Sequence, residues 1–218
     1  MRSLHRMNPV RVRWIAERIV QADASPTRSV AKQRESGAQI LDIGCGAGVA
    51  AEALARRGFD VLGLDAAGRA IDAARAHAAG KGLPLTYRTG VAEDLRAEDA
   101  RFLAIVALEV IEHVADPGAF LATLAALLAP HGRLFISTLN RTPQSFLAAK
   151  IGAEYLLRWL PVGTHNWRSF VTPAELGGLL RQVGLRVIDI AGLRVHPLTG
   201  QWSTDRNVSI NYIIAAGN

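Results

Sequence analysis

A glycine-rich turn between a short apolar strand and a helix is the feature that most constrains this chain. Residues 41–48 read LDIGCGAG, and Asp65 ends the next apolar run, about 20 residues after Gly44. In open α/β sheets such a turn lets a nucleotide lie against the backbone, and the acid accepts hydrogen bonds from a ribose. The pattern therefore predicts that Gly44, Gly46, Gly48 and Asp65 bind a nucleotide.

Predicted strands alternate with predicted helices over most of the chain. Strands are expected at 40–43, 59–64, 85–89, 102–108, 134–137, 185–190 and 210–216, and helices at 49–57, 69–79, from 116 to about 130, and 172–184. This alternation predicts an α/β fold with a Rossmann-like, mostly parallel seven-stranded sheet, helices on both faces and an antiparallel closing strand.

The N-terminal part differs from the rest. Asn8 and Pro9 have the pattern of a helix start, with the asparagine as cap and the proline at the first helical position. Residues 23–37 have the polar composition of a connection. We expect an N-terminal helix and linker over 1–37 and a nucleotide-binding domain over 38–218.

Composition and charge narrow the class of protein. Half of the 218 residues are hydrophobic and 20% are charged, as in soluble globular proteins, and no apolar run is long enough to cross a bilayer. The lone Cys45 excludes an internal disulfide, so the cytoplasm is the expected compartment. The net charge of +6 is carried almost wholly by arginine, which favours a compositional bias over a nucleic-acid partner. An arginine-rich start (Arg2, Arg6, Arg11, Arg13, Arg18) could contact phosphates or lipid headgroups, or form a solvated helix face.

The turn also indicates which nucleotide binds. A dinucleotide fingerprint requires a third glycine where this chain has Val49, and Asp42 stands just before the turn, where a carboxylate suits an ammonium group. S-adenosylmethionine (SAM) carries an ammonium and a sulfonium but no pyrophosphate. Asp42 therefore favours SAM over NAD, with an NAD-linked oxidoreductase as the alternative.

Residues 108–114, LEVIEHV, end the fourth strand at the expected active edge. They lack the proline-proline-aromatic motif of enzymes that methylate amide or base nitrogens. Glu109, Glu112 and His113 could hold Mg²⁺ or, less selectively, Mn²⁺ or Zn²⁺. Alternatively Glu112 caps the next segment and His113 braces the loop, or His113 acts as a general base.

The chain resembles the class I SAM-dependent methyltransferases in its first two motifs and, more closely, the ubiquinone-biosynthesis O-methyltransferases. The resemblance covers nearly the whole chain from Met7. It rests on MNPVR at 7–11, LEVIEHV at 108–114, STLNR at 137–141, GAEY at 152–155, GTH at 163–165 and NY at 211–212.

This resemblance implies methylation of 2-polyprenyl-6-hydroxyphenol and of 3-demethylubiquinol. It implies that Arg11, Gly44, Asp65 and Leu108 contact SAM, and that Glu109, Glu112 and His113 hold a divalent ion. It implies a lid that faces the membrane at about 140–170, peripheral attachment to the inner face of an anionic membrane, and other quinone-biosynthesis proteins as partners. Leu103, Asn166 and Ser209 replace common acids of the family, which puts substrate identity in doubt.

Two further alternatives stay open from the sequence. One is a non-catalytic lipid-binding protein that retains a vestigial SAM fold. The other is an RNA methyltransferase, which the basic charge allows and the missing nitrogen-methylase motif disfavours; nucleic acid is therefore not the expected partner.

Overall fold

The computed structural model describes residues 2–22, 39–146 and 167–218. The helices are α1 (Arg2–Ala22), α2 (Val49–Ala55), α3 (Gly68–Ala78), α4 (Ala92–Ala97), α5 (Pro117–Leu127), α6 (Pro143–Phe146) and α7 (Pro173–Gln182), with 3-10 turns at Ile111–His113 and Trp167–Ser169. The strands are β1 (Ile40–Ile43), β2 (Val61–Asp65), β3 (Leu85–Thr89), β4 (Phe102–Leu108), β5 (Leu128–Leu139), β6 (Arg186–Val195), β7 (Trp202–Asp205) and β8 (Asn211–Gly217).

The strands form one sheet in the order β3-β2-β1-β4-β5-β8-β6-β7. The first five are parallel, and β8 pairs antiparallel between β5 and β6. The predicted α/β class and antiparallel closing strand are confirmed, but the sheet has eight strands rather than seven. The extra strand, β7, lies at the edge and, within the described part of the chain, pairs only with β6. Its four residues lack an apolar run.

Both faces of the sheet are covered. Along β4, Ile105 points into a core shared with α5 and α7, whereas Ala104 and Val106 point into a core shared with α1 and α2. A strand buried on both faces must be apolar throughout, which is why this segment reads FLAIVAL. The carboxyl ends of β1, β2, β4 and β5 therefore meet at one edge, where ligands bind in such sheets.

The helix start predicted at Asn8 and Pro9 is wrong. Helix α1 begins at Arg2, and Pro9 lies inside it. Asn8 is buried, and its Nδ2 donates to the Val49 carbonyl at 2.9 Å instead of its side chain capping α1. Helix α1 packs on the sheet through Val12, Ile15 and Ile19. The predicted linker at 23–37 lies outside the described residues, and the domain boundary stays a prediction.

Most of the predicted insert, 147–166, also lies outside the described residues. The residues on either side of it meet at the carboxyl edge of the sheet: the Phe146 and Trp167 rings are 6.2 Å apart, edge to face, and Trp167 Nε1 donates to the Thr142 carbonyl at 3.1 Å. Of the helices described, none is long and apolar enough to span a bilayer.

Candidate functional site

The glycine turn between β1 and α2 has the backbone that its sequence predicts. Gly44, Gly46 and Gly48 have φ of 66°, 54° and 78°, in the left-handed region that favours glycine. A Cβ on Gly46 would meet none of the described residues within 4 Å, so that part of the structure leaves open space in front of the turn. A Cβ on Gly44 would lie 2.5 Å from Val110 Cγ2, which places the turn directly against the residues that follow β4.

Asp65 holds the turn from the end of β2. Its Oδ2 accepts a hydrogen bond from the Gly46 N–H and its Oδ1 one from the Ala67 N–H, both at 2.8 Å. Each carboxylate oxygen has two lone pairs, so both can still accept from a diol. The carboxylate lies at the turn rather than in the core, as ribose binding requires.

Tyr87, on β3, packs against the turn from the side of β2. A Cβ on Gly48 would lie 1.9 Å from Tyr87 Oη, and one on Gly63 would lie 2.5 Å from Tyr87 Cδ1. The tyrosine ring therefore fills the space that these two glycines leave. Tyr87 was not among the predicted site residues. The available signal was an aromatic residue on β3, the strand that pairs with the Gly63-bearing strand β2.

Asp42 and Arg11 are buried beside the turn. Asp42 accepts from the backbone N–H of Ala51, and burial raises the pKa of its carboxyl to about 7, against the opposing charge of Arg11. Burial lowers the pKa of Arg11. Asp42 Oδ2 and Arg11 Nε have no hydrogen-bond partner among the described residues. An unpaired acceptor and an unpaired donor, both buried, match the ammonium and carboxylate groups of an amino acid.

Glu109 lies at the centre of the edge, immediately after β4. Its φ of 56° is unusual for a residue with a side chain. Its Oε1 accepts from Ser137 Oγ at 2.6 Å and from Arg11 Nη1 at 3.3 Å. Leu108, the last residue of β4, is half-buried beside it. Ser137 belongs to the STLNR segment at 137–141, but no role was predicted for it.

Glu112 lies next to Glu109 and accepts from Thr138 Oγ1 at 2.9 Å. Burial, together with the charge of Glu109, raises the pKa of Glu112 to about 8. The polar pair Ser137-Thr138, which follows an apolar run in β5, was the sequence signal for these two hydrogen bonds.

The third predicted metal ligand is placed differently. His113 is exposed at the end of the 3-10 turn, while Glu109 and Glu112 are half-buried. Within 2–22, 39–146 and 167–218, no three His, Cys, Asp or Glu side chains form a group that could hold a metal ion. Glu109 already forms an ion pair with Arg11. The side chains as they are arranged here therefore do not fit a divalent ion. The metal site implied by the resemblance stays a prediction.

A groove of about 480 Å³ opens beside Glu112. It runs between the 3-10 turn at Ile111–His113 and helix α7. Its walls are mainly apolar and are formed by Ile111, Val114, Ala115, Pro117, Phe170, Val171 and Leu179, with Ser169, Gly178 and Gln182. Arg141 and Glu175 also line it and form an ion pair with each other.

Comparisons with known proteins agree with this geometry. A methyltransferase domain model matches residues 15–190. The fold is similar to that of magnesium protoporphyrin IX methyltransferase from Synechocystis with bound SAH (TM-score 0.59, 22% identity, 91% of this chain and 82% of that one). It is also similar to a SAM-dependent methyltransferase from Methanosarcina mazei (TM-score 0.61, 22% identity, 82% and 91%).

Relatives in sequence are closer. The chain is 46% identical to the ubiquinone biosynthesis O-methyltransferase of Cereibacter sphaeroides over 99% of its own length and 87% of that protein. It is 46% identical to the protein of that name from Methylobacterium nodulans, over 99% and 86%. With this identity along almost the whole chain, on a SAM-methyltransferase fold, the chain belongs to the ubiquinone biosynthesis O-methyltransferase family.

Proposed function

We propose that this protein transfers the methyl group of SAM to a phenol or catechol hydroxyl of a polyprenylated quinone precursor in ubiquinone biosynthesis. The observation that carries the proposal is the 46% identity over 99% of the chain to relatives named for that reaction. The candidate substrates are 2-polyprenyl-6-hydroxyphenol and 3-demethylubiquinol.

The residues at the carboxyl edge suit both the ribose and the amino-acid part of SAM. When bound, SAM supplies an electrophilic methyl group on its sulfonium. Asp65 would accept from the ribose hydroxyls, and Asp42 and Arg11 would pair with the ammonium and carboxylate groups. Gly46 would leave room for the nucleoside in front of the turn, while Gly44 and Gly48 shape the turn by admitting Val110 and Tyr87. Leu108 would contact the nucleoside from the end of β4.

Methyl transfer to a hydroxyl requires removal of one proton. The phenol proton passes to a base of the chain, the phenol oxygen forms the new bond to carbon, and the carbon–sulfur bond breaks to leave SAH. His113 is our candidate base, because it is exposed at the carboxyl edge and imidazole accepts protons near neutral pH. A divalent ion held by Glu109, Glu112 and His113 would require the Arg11–Glu109 ion pair to open.

We also propose that the protein works at the inner, cytoplasmic face of an anionic membrane, alongside other quinone-biosynthesis proteins. The β6–β7 hairpin turns at the same edge of the sheet as the site, since β6 runs parallel to β5, and it carries Leu198 at 90% exposure. Exposed Arg6 lies close to Gly200 in this hairpin, and Arg206 is exposed beyond β7. The insert at about 140–170 would extend this surface as a lid, within a domain spanning 38–218.

The test is incubation of pure protein with SAM and a short-tailed demethylubiquinol analogue, followed by mass spectrometry. We expect the product to gain one methylene unit and SAH to form in equal amount. SAM binding without methylation of any phenol would overturn the proposal. Calorimetric binding of NADH but not SAM would favour an oxidoreductase, and steeply salt-dependent RNA binding would favour an RNA enzyme.

A further inference from the structure

Helix α7 contains two adjacent glycines, Gly177 and Gly178, in its interior. Glycine inside a helix costs about 1 kcal/mol relative to alanine. A ten-residue helix with two such residues is therefore weakened at its centre.

Gly177 packs inward. It is buried, and a Cβ there would lie 3.8 Å from Val187 Cγ2 on β6 and 3.6 Å from Arg181 Nη1. These are ordinary van der Waals distances, so alanine would fit at this position.

Gly178 faces the groove instead. Among the described residues, a Cβ on it would meet only Arg181 Nη2, at 3.9 Å. None of the described neighbours therefore requires a glycine here, and Gly178 lines the open space of the groove. A long side chain at this position would enter that space without displacing the described core.

The groove is continuous with the candidate site. Glu112 belongs both to its wall and to the carboxylate pair at the end of β4. Apolar walls from Ile111, Val114 and Leu179 suit a hydrocarbon chain rather than a polar ligand. The charges of Arg141 and Glu175 balance each other in their ion pair.

We propose that this groove binds the first isoprenoid units of the substrate's tail, and that Gly178 keeps it open. This rests on the proposed function, and it assigns the recognition of the tail to the face between the 3-10 turn and α7. The ring then lies at the Glu112 end, with its hydroxyl toward the carboxyl edge.

The experiment compares two substrates, a catechol with a short prenyl tail and the same catechol without a tail, in three variants. Gly178→Leu fills the groove, Gly178→Ala adds a single methyl group, and Gly177→Ala improves the helix without entering the groove. For Gly178→Leu we expect kcat/KM for the prenylated catechol to fall at least about ten-fold, while that for the bare catechol stays within about two-fold. The melting temperature should not fall, because a helix glycine has been replaced.

Gly177→Ala should leave both substrates unaffected, and Gly178→Ala should give an intermediate loss on the prenylated substrate alone. Equal losses on both substrates, or no loss in Gly178→Leu, would overturn the proposal. If residues 147–166 of this chain fill the groove instead, Gly178→Leu should lower the melting temperature and the turnover of both substrates. Failure of the wild-type protein to methylate either catechol would count against the proposed function itself, whatever the variants do.

Discussion

Arg11 on α1 forms an ion pair with Glu109, 98 residues further along the chain, at 3.3 Å. The pair joins the N-terminal helix to the residue that follows β4. Helix α1 therefore packs on the sheet and also contributes Arg11 to the candidate site.

Arg11→Met should weaken both SAM binding and stability. The variant keeps an apolar stem but removes the cation that donates to Glu109, whose remaining donor is Ser137. A lost hydrogen bond to a charged group costs about 1.5–3 kcal/mol. Calorimetry with SAM and thermal unfolding measure the two effects. Arg13→Met, at an exposed position on the same helix, is the matched control and should change neither. Equal SAM affinity in the two variants would remove Arg11 from the site.

Gly63→Ala should lower SAM affinity although residue 63 does not face the nucleotide space. The new Cβ would lie 2.5 Å from Tyr87 Cδ1 and 3.1 Å from Cys45 Sγ, so it pushes the tyrosine ring toward the turn. Adding Tyr87→Val should restore most of the affinity, because it removes the ring. Binding constants for the two single variants and the double variant test this coupling. Additive losses would contradict it.

Asp42→Asn should stabilise the protein at pH 8 while it weakens SAM binding. Because burial raises the pKa of Asp42 to about 7, the folded state prefers the protonated acid. The contribution of the protonated Asp42 to the free energy of unfolding is fully present below the unfolded-state pKa of about 4, and it is lost as the pH rises through 7. One pKa unit is equivalent to about 1.4 kcal/mol, and each kcal/mol to about 2–4 °C for a chain of this size. We expect the variant to gain at least about 3 °C over wild type between pH 5 and pH 8. Exposed Asp72→Asn is the control, and a constant difference across this range would refute the argument.

Chelation tests the divalent ion implied by the resemblance. If Glu109, Glu112 and His113 hold an ion during turnover, EDTA should reduce methylation at least about ten-fold and Mg²⁺ should restore it, with SAM binding unchanged. His113→Ala should then lose the Mg²⁺ response. Full activity in EDTA would exclude the ion. His113 would then remain a candidate general base only, and His113→Ala should still lower kcat.

The hairpin tip can be tested separately from the insert. Leu198→Glu should reduce flotation of the protein with anionic vesicles several-fold, because the most exposed apolar side chain at the site edge becomes an acid. Ile188→Glu is the control: Ile188 is 52% exposed but lies near the other end of β6. Equal flotation of Leu198→Glu and wild type would exclude the tip as a membrane contact.

The fold was largely predictable because its central strands β1, β4 and β8 are buried on both faces, so they form mostly apolar runs between clear turns. The short helix α6 was not predicted, and neither were α4 and β7, which lack such signals. Helix α4 has no capping side chain at Val91 that the sequence could reveal, and β7 exists only through its pairing with β6. Pro9 gave a wrong helix start because a proline at the first helical position and one inside a helix have the same local sequence pattern.

The geometry of the candidate site was predictable where it depends on a local turn, as at the left-handed Gly44 and Gly46 and at Asp65. It was less predictable where a role depends on distant partners. The exposure of His113, the pairing of Glu109 with Arg11 and the left-handed backbone of Glu109 all follow from tertiary contacts. Nothing local in LEVIEHV distinguishes the half-buried acids from the exposed histidine.

The contact between Phe146 and Trp167 has a consequence for how this enzyme family can diversify. The ring contact and the hydrogen bond from Trp167 to Thr142 hold the two ends of the intervening segment together. Because the cost of closing a loop grows only slowly with its length, that segment can change length or composition at little entropic cost to the sheet. A graft of that segment from a relative with a different substrate should transplant preference without rebuilding the catalytic edge.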